Sequence, residues 1–196
     1  MRSWASIEYW EAGILNFKTV TEKLLTSFKD QNIRYALIGG YAVGLWGVAR
    51  GTVDMDFLVL RDDLDKLDGI MTSLGYELHF RSENVSHYVA SHSLFGEIDF
   101  LHAFRSTTVR MLEQAAEKTI FGDLLSIRVL RPEDLIGLKI QAMANNESRE
   151  ALDMNDIEEL MRLHGDKLDW ELIGEYCAIF DRQDIFAALK DKFHAD

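Results

Sequence analysis

Cys177 is the only cysteine in 196 residues, so no internal disulfide can form, which suits a reducing compartment. Pro132 is the only proline. No proline-, glycine- or serine-rich stretch, repeat or low-complexity tract marks a linker. No apolar run approaches the roughly 20 residues that span a bilayer. The opening stretch, MRSWASIEYWEAG, lacks the basic start and apolar core of a secretory signal. These absences lead to the expectation of a cytoplasmic protein with no membrane partner. Basic residues are in the minority, 21 Lys and Arg against 33 Asp and Glu, for a formal charge of −12. So acidic a chain repels a phosphate backbone at long range. Nonspecific DNA binding is therefore disfavoured, although a local basic cleft or a cation-bridged anion is not. There is no P-loop, HExxH or GxSxG, and the histidines show no metal-ligand spacing.

Apolar residues are plentiful, at 47% of the chain, enough for a core without staples in one large domain or two small ones. Residues 14–31 carry Val20, Leu24, Leu25 and Phe28 at helical spacing. RYALIG (34–39) reads as a buried strand, YAVGLWGV as a short helix and MDFLVL (55–60) as a second strand. Asp62 and Asp63 open a helix to about Leu74, with Gly75 as its stop. YELHFR (76–81), HYVASH (87–92) and EIDFLH (97–102) are strand patterns, 106–118 reads as helix, and LSIRVL (125–130) as a last strand. Beyond Pro132, which fits a first helical turn, helices are expected over 132–145, 149–163, 169–180 and 183–193. The expectation is an α/β (α+β) fold: residues 1–131 form a catalytic domain with a mixed sheet and flanking helices, and 132–196 a helical domain.

The segment most informative about chemistry is LIGGYAVGLWGVARGTVDMDFLVL, residues 37–60. A strand runs into Gly39-Gly40, where a helix begins, and the next strand opens at Asp54-Met55-Asp56. Paired glycines at such a turn allow unusual backbone angles and close approach of a ligand. A helix start offers free N–H groups suited to phosphate. In a strand, residues two apart share a face, so Asp54 and Asp56 can aim at one site. Two such carboxylates repel each other unless a cation joins them, and Mg²⁺ takes carboxylates together with substrate phosphates. GEIDFL (96–101) supplies Asp99 as a third acid, pointing away from Ile98 and Phe100, with Glu97 on the same face as its rival. Three converging acids would serve two-metal phosphoryl transfer.

These residues resemble the nucleotidyltransferase fold superfamily, which carries a Gly-Gly or Gly-Ser turn, a short helix, Asp-x-Asp and a later third Asp. Arg50, Thr52, Asp54 and Asp56 are similar to the Arg-x-Thr-x-Asp-x-Asp run of the branch holding AbiEii-type toxins and uncharacterised nucleotidyltransferases. The resemblance continues through RPEDLIGLKIQAM (131–143) and, more weakly, DMNDIEEL (153–160), with Lys139, Asp153, Asp156 and Ile157 in place and Leu152 where relatives carry Lys. It implies catalytic and metal-binding roles for Asp54, Asp56 and Asp99, with Mg²⁺ or Mn²⁺ as cofactor and an NTP as substrate. Nucleotide contacts are expected from Gly39, Gly40, Arg50 and Lys139.

Each of these residues also has a plainer reading. Arg50 reads as a surface arginine or, equally, as a phosphate contact or carboxylate partner, and Thr52 as a structural residue. Lys139 borders an apolar helical face, so it either snorkels from the rim of the core or reaches a triphosphate. Asp156 is read as a structural ion-pair partner of Lys139 or Arg149. His87 and His92 are read as structural or polar-face residues. For function, the resemblance implies transfer of an NMP from an NTP to an acceptor: RNA, as in toxins paired with a cognate antitoxin, or a small molecule, as in antibiotic-modifying enzymes. The small-molecule acceptor is the runner-up, although the acidic composition mildly favours a small or protein acceptor over RNA. A non-catalytic nucleotide- or partner-binding module on the same fold is the remaining alternative.

Overall fold

A computed structural model describes residues 18–52, 54–90 and 96–193. The opening stretch, the helix start expected at 14–17, and the strand end at 91–92 with His92 lie outside the described residues. Contacts divide the chain into two compact units, Met1–Leu37 with Val53–Val129, and Ile38–Thr52 with Leu130–Asp196. The sequence puts the boundary near Arg131; by contacts, residues 38–52 group with the C-terminal helices.

The first unit is built on a seven-stranded mixed sheet in the order β3-β4-β5-β2-β1-β7-β6. Its strands are β1 (Tyr35–Ile38), β2 (Met55–Leu60), β3 (Tyr76–Arg81), β4 (Val85–Ala90), β5 (Glu97–Ala103), β6 (Ala116–Ile120) and β7 (Leu125–Val129). β2 runs parallel to β5 and β1 to β7, while β3–β4, β4–β5 and β6–β7 are antiparallel. Helix α1 (18–30) precedes the sheet; α3 (Leu64–Ser73) and α4 (Ser106–Glu113) are inserted between strands. The expected helix over 106–118 ends at Glu113, and residues 116–120 form edge strand β6 instead. Pairing with β7, Glu117 to Arg128 and Lys118 to Ile127, outweighs the helix propensity of Ala, Glu and Lys here.

The core of this unit is aromatic. Phe28 of α1 is fully buried and meets Phe57 edge-on at 5.8 Å and Phe100 at 6.4 Å; Phe57 and Phe100 stack at 5.7 Å. Tyr88 meets Phe100 at 5.6 Å. Burying each such ring is worth roughly 1.5–3 kcal/mol. With Phe57 and Phe100 turned inward, the period-2 alternation of strands turns Asp56 and Asp99 to the opposite face. A buried Ser86–His102 hydrogen bond (2.6 Å) also lies on the core side, and His102 Nδ1–H donates to the Glu83 carbonyl at 2.9 Å. Burial holds His102 below its ordinary pKa.

The second unit holds α2 (Gly39–Leu45), α5 (Pro132–Asn145), α6 (Glu150–His164), α7 (Trp170–Ile179) and α8 (Gln183–Phe193). α5 is its axis, packed against α2, α6 and α7 and buried on most sides. Gly137 sits where an added Cβ would lie 2.5 Å from the Tyr176 ring, and the Tyr176 hydroxyl donates to Asp134 at 2.6 Å. Trp46 Nε1–H donates to the Leu130 carbonyl at 2.8 Å, and His164 Nε2–H donates to the Trp46 carbonyl at 2.7 Å, tying residues 46–47 to the helices.

Candidate active site

The acids of the first unit gather on the solvent side of the central strands. β2 and β5 are in parallel register with Asp56 beside Asp99, and β4 brings His87 opposite Asp99. Cross-strand partners share a face, so Asp56, Asp99 and His87 form a row over three neighbouring strands. Glu97 shares Asp99's face two residues earlier. Asp54 stands at the bend before β2 rather than within the strand. Burial, then the nearby carboxylates of Glu97 and Asp99, push the Asp54 carboxyl above its ordinary pKa, with His87 opposing. Its neighbourhood therefore already carries the like-charge repulsion that a cation would relieve.

The donor set tells which kind of cation fits. Among the described residues, no group of three or more His, Cys, Asp or Glu converges as a ready-made metal cage. The carboxylates instead fit Mg²⁺, which keeps several waters and binds through one or two carboxylates plus substrate phosphates.

His87 was not among the sequence candidates. Its Nδ1–H donates to Asp99 Oδ1 at 2.5 Å, and its Nε2 lies 3.7 Å from Glu97 Oε2. The strand pattern of 87–92 places His87 in a strand, but the register that sets it against Asp99 depends on the β4–β5 pairing, which no local pattern encodes.

The expected nucleotide contacts fall in the second unit, away in sequence from Asp99. Gly39 follows β1 directly and opens α2 with φ +65°, a left-handed angle that glycine adopts without strain, so the strand-to-helix turn is as expected. At Gly40 the missing side chain is matched by the chain itself: a Cβ would lie 2.9 Å from Thr52 Cβ and 3.2 Å from Arg50 Nε. α2 has seven residues, so little macrodipole builds up, and any offer to phosphate rests on individual N–H groups.

Arg50 and Lys139 join one buried ion cluster. Arg50 pairs with Asp156. Lys139 Nζ donates to Asp156 Oδ2 at 2.6 Å and Asp153 Oδ1 at 2.9 Å, and Arg149 Nε donates to Asp153 Oδ2 at 2.8 Å. Lys139 is 8% exposed, so its ammonium turns inward and does not snorkel. Burial pulls the Lys139 pKa down, partly offset by Asp153. Burial alone would raise Asp153, but hydrogen bonds from Arg149 and Lys139 outweigh it and hold the carboxyl below its ordinary range.

A family described as uncharacterised nucleotidyltransferase matches residues 12–188. Nothing among the curated proteins matches by sequence. Among solved structures, the antibiotic-resistance factor ANT(2″)-Ia is 18% identical, with 90% of this chain and 96% of that one covered and a TM-score of 0.59. The lincosamide antibiotic adenylyltransferase LnuA, seen with lincomycin bound, is 16% identical over 74% of this chain and 96% of its own, with a TM-score of 0.53. An antigenic nucleotidyltransferase-like protein from Paracoccidioides brasiliensis is 18% identical over 87% and 91%, with a TM-score of 0.52. At these identities the likeness is one of fold.

Proposed function

The chain belongs to this family of uncharacterised nucleotidyltransferases, and from that premise we propose that it moves an NMP from an NTP to an acceptor in a divalent-metal-dependent reaction centred on Asp54, Asp56 and Asp99. The observation that carries the reading is the β2–β5 register, which sets Asp56 beside Asp99 on the face opposite the aromatic core, with Asp54 crowded by neighbouring carboxylates. Asp54 and Asp56 would hold the cation that accompanies the triphosphate, and Asp99 would serve the acceptor side. When bound, Mg²⁺ or Mn²⁺ supplies charge neutralisation and Lewis acidity at the phosphates. The acceptor hydroxyl oxygen forms a new bond to the α-phosphorus as its proton passes to a carboxylate or to water, the bond to the bridging oxygen breaks, and pyrophosphate leaves. The carboxylates orient the reactants and take up the charge redistribution. Gly39 and Gly40 are assigned to the phosphates. Arg50 and Lys139 are assigned to the nucleotide through their cluster, where three cations with Arg149 face two carboxylates and leave positive charge over.

A small-molecule acceptor fits best. The chain carries a charge of −12, and Glu97 adds to the acids around the site, so a polyanionic RNA meets repulsion. Two structural neighbours, the antibiotic-resistance factor ANT(2″)-Ia, solved with adenylyl-2″-tobramycin, and a lincosamide antibiotic adenylyltransferase, support the same direction. The second reading is an RNA end as acceptor, with a cognate antitoxin as partner, and it rests on the resemblance to AbiEii-type toxins. A cytoplasmic setting accords with either, given the lone, buried Cys177 and the absence, among the described residues, of a helix long and apolar enough to cross a membrane. The test is incubation with each labelled NTP, Mg²⁺ or Mn²⁺, and total cell extract. Label in a small molecule supports the first reading, label in RNA the second. No metal-dependent label in any fraction would contradict transferase function.

A further inference from the structure

His87 lies outside the acid set and grips a member of it. It reaches Asp99 from the neighbouring antiparallel strand, where His87 and Asp99 are direct cross-strand partners. Its Nδ1–H donates to Asp99 Oδ1 at 2.5 Å, while Nε2 faces Glu97 Oε2 at 3.7 Å, so the ring bridges both carboxylates that β5 projects onto this face. A third contact, with the His79 ring edge-on at 6.3 Å, braces its orientation from β3. An ionised carboxylate only accepts, so Nδ1 carries the proton in this bond.

We propose that His87 is a positioning residue: its bond to Oδ1 fixes the Asp99 rotamer in which that carboxylate would help hold a divalent cation. The inference rests on the proposed metal-dependent transfer. The physical reason is that an unheld aspartate samples several rotamers, and binding a cation must then restrict them. A hydrogen-bonded carboxylate has already lost that freedom, and partners of this kind around metal ligands are worth about 10–100-fold in metal affinity.

The test measures Mn²⁺ binding by electron paramagnetic resonance without nucleotide, on wild type, H87A, H87N, D99N and the H87A/D99N double variant, with thermal unfolding as a check on folding. The Asn amide nitrogen can take the place of Nδ1. H87A is expected to weaken Mn²⁺ binding about tenfold with little change in melting temperature, and H87N to regain most of it. In the D99N background, H87A is expected to change nothing further, because the bond it removes has lost its purpose. Wild-type affinity in H87A, an H87N no better than H87A, or equal losses with and without D99N overturns the inference while leaving the transferase reading standing. A wild type that takes up no Mn²⁺ overturns the inference and leaves the transferase reading to its own labelling test.

Discussion

Asp54 shows how much a single side chain's surroundings decide. It is pushed above its ordinary pKa by burial and by Glu97 and Asp99, so its ionised form is held at a cost in the metal-free protein. A group whose folded pKa is raised binds its proton more tightly in the native state. Its contribution to stability is therefore present in acid and lost as pH rises through the raised folded pKa. Asp54→Asn removes that loss. The metal-free variant is expected to melt higher than wild type at neutral pH and to converge with it as the pH is lowered into the carboxylate range. Saturating Mg²⁺ is expected to stabilise wild type more than the variant. Differential scanning calorimetry with and without metal checks this, and a metal-free variant that melts lower at neutral pH would count against the crowded-carboxylate picture. At this scale the sequence was informative where alternation decides orientation: Asp99 between Ile98 and Phe100 faces away from the core, as its neighbours require. His87 was opaque because its significance comes from register, which is a relation between strands.

At the scale of elements, long periodic segments and punctuated turns were legible. β2, β3 and β7, Gly75 as a helix stop (φ +83°), and α5 behind Pro132 all follow from local signals. Residues 116–120 were not, because Ala, Glu and Lys read as helix and only the partner β7 makes them a strand. Gly137 is a similar case. A glycine inside α5 reads as a helix weakness worth about 1 kcal/mol against Ala. The Tyr176 ring fills its missing side chain, and its hydroxyl is anchored on Asp134. Gly137→Ala should therefore destabilise the protein by about 1–3 kcal/mol despite the better helix former, because the anchored ring cannot yield freely. Urea unfolding measures it; an unchanged or higher midpoint would mean that the ring relaxes.

Over the whole molecule, the sequence conveyed the fold class, a mixed sheet with flanking helices. It did not convey that residues 38–52 group with the helices, since the ties that bring them there, Trp46 to Leu130 and His164 and Arg50 to Asp156, join residues far apart in the chain. Each unit also keeps a carboxylate below its ordinary pKa. Asp68 is lowered by its hydrogen bond from Arg81, and Asp153 by Arg149 and Lys139 against the opposing effect of burial. A depressed folded pKa contributes stability that is full above the unfolded value, near 3.9 for Asp, and is lost as pH falls through the folded value. Acid unfolding is accordingly expected to set in below about pH 4, and Asp68→Asn and Asp153→Asn each to flatten that pH dependence. Circular dichroism against pH checks it; variants that keep the wild-type acid slope would show that these pairs do not govern it.

The central claim, that these acids support transfer of a nucleotide and not of a phosphoryl group, is tested most directly by comparing α- and γ-labelled NTP in wild type and Asp56→Asn, with Mg²⁺ and cell extract present. The account predicts that wild type passes the α-label to an acceptor and releases the γ-label in pyrophosphate. Asp56→Asn, still folded, should lose the transfer by at least about 10²-fold. Appearance of the γ-label in the acceptor, or undiminished α-label transfer by Asp56→Asn, would contradict it.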